Sequence, residues 1–353
     1  MITATQTQIS ADWIQNSHAQ TRVAGRDIGI DTMRGIAILM VIGIHSMPQP
    51  LDPFWGKIVD AALRPCVPIF LFASGYLTAL SGRVALGRRV KTAVIPYAIA
   101  FVAAYVYMAW HNPAMDHRIT TTVARFVLAY VFVYYYVFVY VGCTICLWLV
   151  FRISDANSHQ TQQRLAILLA LSILAGLVVG SYLDPLLLHR GFSESFVQEV
   201  RLRDIPFWFS FVALGALVGT SSAGLALRDS RLLITTATLI AYVTYAAVRV
   251  AGIGDAADYD STAFFAYAAL LSILLLGLHP RSQFLASIGS GSYFIYLWHI
   301  FVIMILRDHF SLHESGAVTD FAITYVTTAV ISIFALMIIR RVASARVSHW
   351  LGA

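Results

Sequence analysis

Ten long apolar segments constrain the fold of this chain more than any other feature of its sequence. An α-helix rises about 1.5 Å per residue, so roughly 20 apolar residues are needed to cross the hydrocarbon core of a bilayer. The segments run approximately over residues 30–48, 61–81, 92–110, 130–151, 165–182, 205–220, 232–251, 262–278, 286–306 and 319–339. The sequence therefore predicts an all-α fold, a polytopic transmembrane helical bundle of about ten spans. Residues 119–129 are predicted to form a separate interfacial helix.

The composition excludes soluble and disordered proteins. Apolar residues make up 59% of the chain and charged residues 12%, against roughly 45–50% and about 25% in soluble globular proteins. So few charges cannot cover a water-soluble globule, and so much apolar mass is incompatible with disorder. The formal net charge of +6 is interpreted as a membrane-topology signal and not as a nucleic-acid footprint. Cys143 and Cys146 lie within a predicted span and are interpreted as packing residues.

The distribution of basic residues predicts the orientation of the chain. An even number of spans places both termini on one side, and an excess of Lys and Arg marks the cytoplasmic side. With the N-terminus inside, the inner segments hold 14 Lys/Arg against four acids, and the outer segments hold nine against 13. We therefore expect cytoplasmic tails at 1–27 and 341–353, one transmembrane domain at 28–340, and a longest outer loop at about 183–204.

Ionisable residues inside predicted spans are candidate functional groups, because a charge in hydrocarbon is costly. Arg34 and His45 are eleven positions apart, which corresponds to about three helical turns, so both lie on one face, roughly 16 Å apart along the axis. Asp31 lies one turn before Arg34, within reach of an ion pair. The structural alternative is a salt bridge at a helix start and a histidine that bonds a neighbouring helix.

A second polar face is predicted in the ninth span. Ser292, Tyr296 and His299 follow the i, i+4, i+7 spacing of one helix face, and His299 is expected at a depth similar to that of His45. Polar groups that face lipid lose their hydrogen bonds, at several kcal/mol per group. We therefore expect this face to pack against the Arg34–His45 face and to form one polar cavity. The alternative is that the aromatic residues are ordinary interfacial anchors.

Four basic residues lie close together in the predicted inner loop between the second and third spans: Arg83, Arg88, Arg89 and Lys91. Such a cluster is either a topology determinant or a site that binds phosphate through charge-assisted hydrogen bonds. The sequence contains no Gly-rich phosphate loop, no G-x-S-x-G nucleophile elbow and no H-E-x-x-H metal motif.

Two segments in the first two spans resemble the acyltransferase 3 family of integral membrane O-acyltransferases. Arg34, ten intervening residues and His45 are similar to the signature of the family's first span. The segment Val67–Leu77, with Pro68 and the sequence Ser74-Gly75-Tyr76, resembles the family's Pro-x-Phe…Ser-Gly-Tyr segment.

Two later segments extend the resemblance to about residues 28–340. The basic cluster precedes Pro96-Tyr97, where the family has a cytoplasmic arginine motif, and Arg88-Arg89-x-Lys91 stands in place of two arginines spaced by two residues. The segment from Ser292 to His299 is similar to the family's Ser-Tyr-x-x-Tyr-Leu-x-His pattern.

The resemblance implies a stand-alone membrane O-acyltransferase of a bacterial inner membrane. It implies acetyl-coenzyme A as the acyl donor, a hydroxyl of an envelope glycan or lipid-linked sugar as the acceptor, glycan-assembly machinery as a partner, and neither a metal nor a nucleic acid. The residues expected to be catalytic are His45, Arg34, Asp31, His299 and Tyr296. The residues expected to bind the donor are Arg34, Arg83, Arg88, Arg89 and Lys91. The residues expected to bind the acceptor are Ser74, Ser292 and Tyr293.

This chemistry suits the separation between Arg34 and His45. The basic cluster would hold the phosphates of coenzyme A, while its long arm passes Arg34 and brings the thioester to His45. A histidine, with a pKa of roughly 6.5 in water, is suited to take the proton of the attacking hydroxyl, and an acyl-histidine intermediate is the open alternative. His299 would orient His45 or the acceptor, and Tyr296 would donate to the developing oxyanion.

A transporter or a lipid or glycan translocase is the alternative function. Intramembrane His, Arg and Asp also mark proton and substrate pathways. Transporters commonly carry paired, interrupted spans in their two halves, whereas the second half of this chain does not repeat the spacing between Arg34 and His45. The sequence therefore favours the enzyme.

Overall fold

The computed structural model describes residues 22–23, 26–51, 54–112, 114–131, 133–154, 159–221, 229–253 and 259–353. These residues form a helical bundle, which confirms the prediction of an all-α polytopic fold. The one strand pairing among them is a two-residue antiparallel contact between β1 (Arg22–Val23) and β2 (Arg26–Asp27). The first helix begins directly after it, where the Asp27 carboxylate accepts hydrogen bonds from the N–H groups of Gly29 and Ile30.

Fifteen α-helices lie in the described part of the chain. In order they are α1 (Ile28–Ser46), α2 (Trp55–Leu63), α3 (Cys66–Ser81), α4 (Leu86–His111), α5 (Ile119–Val127), α6 (Tyr135–Ser154), α7 (His159–His189), α8 (Glu194–Leu202), α9 (Ile205–Thr220), α10 (Arg231–Ala251), α11 (Thr262–Leu278), α12 (Gln283–Ser290), α13 (Ser292–His309), α14 (Ala317–Val342) and α15 (Ala345–Leu351). A short 3₁₀ helix, Leu312–Ser315, precedes α14.

Eight helical segments of the described chain are long and apolar enough to cross a membrane. Two of them join neighbouring helices, since α2 continues into α3 and α8 into α9. The helix α11 is a shorter apolar helix at the position of the predicted span 262–278. The predicted interfacial segment is a separate helix, α5.

The predicted span 286–306 is not continuous. The helices α12 and α13 meet at an angle of 78° at Gly291. Arg340 stabilises the end of α12 by donating to the Ser287 carbonyl oxygen and to Ser290 Oγ, both at 2.9 Å. The sequence did not indicate this break, because average hydropathy does not detect a turn within an apolar run.

The segment 183–204, predicted as the longest outer loop, is largely helical. The helix α7 continues to His189, and α8 covers Glu194–Leu202. Arg201 of α8 donates to the Asp184 carboxylate and lies 3.7 Å from an Asp260 carboxylate oxygen. This buried ion cluster joins α7, α8 and the residues before α11, and its charges made the segment resemble a solvated loop.

The core is built around α9, which packs against α3 and α7. Its residues Phe207, Trp208 and Phe211 are fully buried. The helix α1 packs against α3, α12 and α13, so the helix that carries Arg34 and His45 lies inside the bundle.

Two glycines allow α1 and α12 to touch. A Cβ atom on Gly35 would lie 2.2 Å from the Leu285 carbonyl oxygen, and one on Gly289 would lie 1.8 Å from the Asp31 carbonyl oxygen. Neither position accepts a side chain without a backbone shift. Because α12 is held directly on α1, the first turn of α13 is placed beside the first turns of α1.

Candidate functional site

A cavity of about 540 Å³ lies inside the bundle, bounded by α1, α3, α4, α6 and α13. It extends from Arg34, near the start of α1, to His45, in its last turn. Its walls are mostly aromatic and aliphatic, so the predicted polar cavity is instead an apolar one with polar groups near its ends. Among the described residues, four arginines line it and no carboxylate does: Arg34, Arg64, Arg88 and Arg89.

The two predicted polar faces meet at the Arg34 end of the cavity. Arg34 Nη2 donates to Ser292 Oγ at 3.1 Å, and Arg34 Nη1 lies 3.5 Å from Asp31 Oδ1. The predicted ion pair and the predicted contact between the faces are both confirmed. Arg34 and Ser292 line the cavity, whereas Asp31 does not and reaches it only through Arg34.

The basic cluster contributes two arginines to the same end. Arg88 and Arg89 line the cavity, and Arg83 and Lys91 do not. The cluster was predicted as a loop, but α4 begins at Leu86 and includes Arg88, Arg89 and Lys91. The first turn of α4 has no side-chain cap, and Arg89 Nη1 is buried without a hydrogen-bond partner in the described chain. Unpaired donors and the positive end of a helix together favour an anion.

Two histidines lie at the opposite end of the cavity. The ring centroids of His45 and His299 are 5.4 Å apart, with 35° between the ring planes. His45 lines the cavity, and His299 is fully buried behind it. His299 Nδ1 lies 3.0 Å from the Ile295 carbonyl oxygen and 2.9 Å from that of Tyr296.

Those contacts determine which nitrogen of the His299 ring carries the proton. Both partners are carbonyl oxygens, so Nδ1 carries the proton and donates, and Nε2 is the acceptor of the neutral ring. Within the described chain, His299 Nε2 is buried and has no hydrogen-bond partner. An unused acceptor thus lies beside the His45 ring.

Arg307 holds the end of α1 in place. Its Nη2 donates to the carbonyl oxygens of His45 at 3.1 Å and Met47 at 2.9 Å. Carbonyl groups in the last turn of a helix have no partner within the helix, so these bonds stabilise the turn that carries His45.

The tyrosine hydroxyls predicted at the site are already bonded to the backbone. Tyr296 donates to the Val133 carbonyl oxygen at 2.6 Å, and Tyr293 donates to that of Ala93 at 2.5 Å. Both rings line the cavity. A hydroxyl has one proton to donate, so the predicted bond from Tyr296 to an oxyanion requires the bond to Val133 to break. Ser74 does not line the cavity.

Sequence reasoning missed several lining residues. Tyr135, Tyr136 and Tyr140 form an aromatic wall from α6, and Arg64 and Tyr259 also line the cavity. Arg64 Nε donates to Asp60 Oδ2 at 2.6 Å, and the guanidinium lies 4.0 Å from the centroid of the Tyr259 ring. Arg64 falls inside the predicted span 61–81, so the criterion of an ionisable residue at membrane depth would have identified it.

The arrangement joins an arginine-lined end to a pair of imidazoles through an apolar passage. Comparison with known proteins gives a family for it. The acyltransferase 3 family model, described as an acyltransferase domain, matches residues 27–340. No curated protein and no solved structure matches the chain.

Proposed function

Because the chain belongs to the acyltransferase 3 family and is a membrane acyltransferase, we propose that it transfers an acetyl group from acetyl-coenzyme A to a hydroxyl of an envelope or exported glycan. The setting proposed is a bacterial inner membrane with both termini in the cytoplasm, where glycan-assembly machinery supplies the acceptor. The observation that carries the proposal is the cavity, which joins Arg34, Arg88 and Arg89 at one end to His45 at the other.

The donor enters at the arginine end. The phosphates of coenzyme A bind Arg88 and Arg89, where the buried Arg89 Nη1 lacks a partner in the described chain. Guanidinium groups bind phosphate through charge-assisted bonds. The arm of the coenzyme passes Arg34 and covers the distance of roughly 16 Å along α1 to His45. Apolar and aromatic walls suit this uncharged part of the donor.

His45 acts as the general base. Its imidazole takes the proton of the acceptor hydroxyl while the oxygen attacks the thioester carbon. The carbon–sulfur bond breaks, and the departing thiolate takes up the proton, so the products are the acetyl ester and free coenzyme A. His299 is a positioning residue: its Nε2, which has no hydrogen-bond partner in the described chain, would accept the N–H of His45 during transfer and leave the other His45 nitrogen free toward the cavity. The two rings are close enough for this contact.

Direct transfer and transfer through an acetyl-His45 intermediate use the same geometry. They differ in kinetics, because an acetyl-enzyme gives ping-pong behaviour and a burst of free coenzyme A without an acceptor. Release of coenzyme A from purified protein in the absence of acceptor therefore separates the two routes.

Mass spectrometry of envelope glycans tests the proposal. Cells that make the wild-type protein should carry O-acetyl groups that cells without it lack, and His45→Ala should remove them while the protein remains folded in the membrane. His111→Ala is the matched control, because His111 is exposed, bonds the Tyr107 carbonyl oxygen and does not line the cavity. Normal glycan acetylation in the His45→Ala cells would show that His45 is not the base.

One observation favours a translocase as a second candidate function. Transporters build substrate sites from interrupted helices, and α12 and α13 are interrupted at Gly291 beside Arg34. A translocase would move its glycan or lipid across the membrane without consuming acetyl-coenzyme A. Unchanged O-acetylation together with lost export in cells without the protein would favour this function.

A further inference from the structure

Arg64 is a buried cation that lines the cavity near the last turns of α1, because the preceding residue, Leu63, packs against Gly43 of α1. It lies in the turn between α2 and α3, and 13% of its side chain is exposed. A guanidinium has five N–H donors. Only Nε–H is bonded within the described chain, to Asp60 Oδ2, so the two terminal nitrogens have no hydrogen bond there.

Within the described chain, no group accepts a hydrogen bond from the terminal nitrogens of Arg64. Asp60 Oδ2 also accepts a bond from Arg249 Nη2 at 2.6 Å, so this carboxylate oxygen is shared between two guanidinium groups. The ring of Tyr259 packs against the guanidinium at 4.0 Å. Asp60 and Tyr259 hold the guanidinium group in place, and Arg64 lines the cavity.

The electrostatics of the cavity favour anions at both ends. Three of its four arginines, Arg34, Arg88 and Arg89, lie at the end assigned to the donor phosphates, and Arg64 lies at the other. No carboxylate of the described chain lines the cavity, and the Asp60 carboxylate that pairs with Arg64 also pairs with Arg249, so two guanidinium charges share one carboxylate. A buried charge is stable only when a partner compensates for lost hydration.

We propose that Arg64 binds an anionic group of the acceptor, a carboxylate or a phosphate near the hydroxyl that is acylated, and that it thereby selects acidic sugars. The proposal rests on the proposed function, because the acceptor hydroxyl must reach His45. The planar guanidinium matches both anions through paired N–H donors, and the experiment distinguishes between them.

Sugar binding to the purified full-length protein in nanodiscs tests the proposal without acetyl-coenzyme A. The probes are glucuronate, glucose 6-phosphate and neutral glucose. A charge-assisted hydrogen bond contributes about 1.5–3 kcal/mol, or roughly 10- to 100-fold in affinity. At least one anionic sugar should therefore bind about tenfold more tightly than glucose. Whichever of glucuronate and glucose 6-phosphate binds more tightly shows whether Arg64 prefers a carboxylate or a phosphate.

Variants assign that preference to Arg64. Arg64→Gln should reduce the ratio of anionic to neutral affinity to about one, and Arg64→Lys should restore part of it. Arg118→Gln is the control, since Arg118 is exposed, pairs with Asp116 and does not line the cavity. The double variant Arg88→Ala/Arg89→Ala should keep the preference, which excludes binding of the probe at the donor site.

Two results would overturn the proposal: equal affinities for anionic and neutral sugars in the wild type, or an unchanged ratio in Arg64→Gln. A general folding defect lowers all affinities and leaves the ratio unchanged, so it counts against the proposal as well. Binding of acetyl-coenzyme A is measured separately. If the wild type does not bind it, the proposed function fails, while the sugar preference and its dependence on Arg64 still decide the role of Arg64.

Discussion

Replacing Gly289 by alanine should damage the site from a position that does not line the cavity. The added Cβ would lie 1.8 Å from the Asp31 carbonyl oxygen, whereas ordinary contact begins near 3.4 Å. The backbones of α1 and α12 must therefore separate by about 1.6 Å. This displacement reaches Ser292 and Arg34, whose bond is 3.1 Å long, because α13 starts two residues after Ser290.

The expected size of the effect follows from how strongly the rate of acetyl transfer depends on the positions of the reacting groups. A misplacement of about 1 Å far from the chemistry can lower a rate by about 10²-fold, and forcing an extra methyl group into a packed interior costs about 1–3 kcal/mol. We expect Gly289→Ala to reduce acetyl transfer about 100-fold and to lower the free energy of unfolding by about 1–3 kcal/mol.

Transfer assays and thermal unfolding of the purified variant test this expectation. Gly87→Ala is the matched control, because Gly87 is helical and a Cβ there meets no atom within 4 Å. Alanine in a helix is favoured over glycine by about 1 kcal/mol, so the control should be at least as stable as the wild type. If Gly289→Ala retains wild-type transfer and stability, α1 and α12 do not make the close contact described here.

Three further substitutions separate binding, positioning and oxyanion roles. Arg88→Ala/Arg89→Ala should weaken binding of acetyl-coenzyme A at least about tenfold, because each lost charge-assisted bond is worth about 1.5–3 kcal/mol. The rate at saturating donor should change little. Unchanged affinity in calorimetry would mean that the two arginines serve only as a topology signal. His299→Ala should lower kcat at least about tenfold with little change in KM for the donor, since His299 contacts His45 and does not line the cavity. A rise in KM with normal kcat would assign His299 to binding. Tyr296→Phe should lower the free energy of unfolding by about 0.5–1.5 kcal/mol. It should lower the rate of acetyl transfer by less than about tenfold, because the Tyr296 hydroxyl proton is bonded to the Val133 carbonyl oxygen. A loss of transfer rate of about 10²–10³-fold would be the behaviour of an oxyanion donor.

Helical periodicity predicted the parts of the site that depend on one helix. The spacing of Arg34 and His45 and that of Ser292, Tyr296 and His299 put these residues on two faces, and the cost of unsatisfied polar groups in lipid predicted that the faces meet. The contacts between Arg34 and Ser292 and between His45 and His299 confirm this step.

Features that depend on contacts between distant segments could not be predicted in the same way. The break at Gly291 is stabilised by Arg340 of α14, and the partner of the Tyr296 hydroxyl is a carbonyl oxygen of Val133. The charge of Arg340 does not indicate its partners in α12, and no local pattern marks the Val133 carbonyl group. The place of Arg64 beside the cavity likewise depends on Asp60 and Tyr259.

The central claim is that one cavity brings the donor phosphates to Arg88 and Arg89 and the reacting end of the donor to His45. A structure of the purified full-length protein with bound coenzyme A tests it most directly. We predict phosphate groups in contact with the Arg88 and Arg89 guanidinium groups, the arm beside Arg34 and Ser292, and the sulfur atom next to the His45 ring. Coenzyme A bound outside the cavity, or inside it with the sulfur atom at the arginine end, would contradict this account.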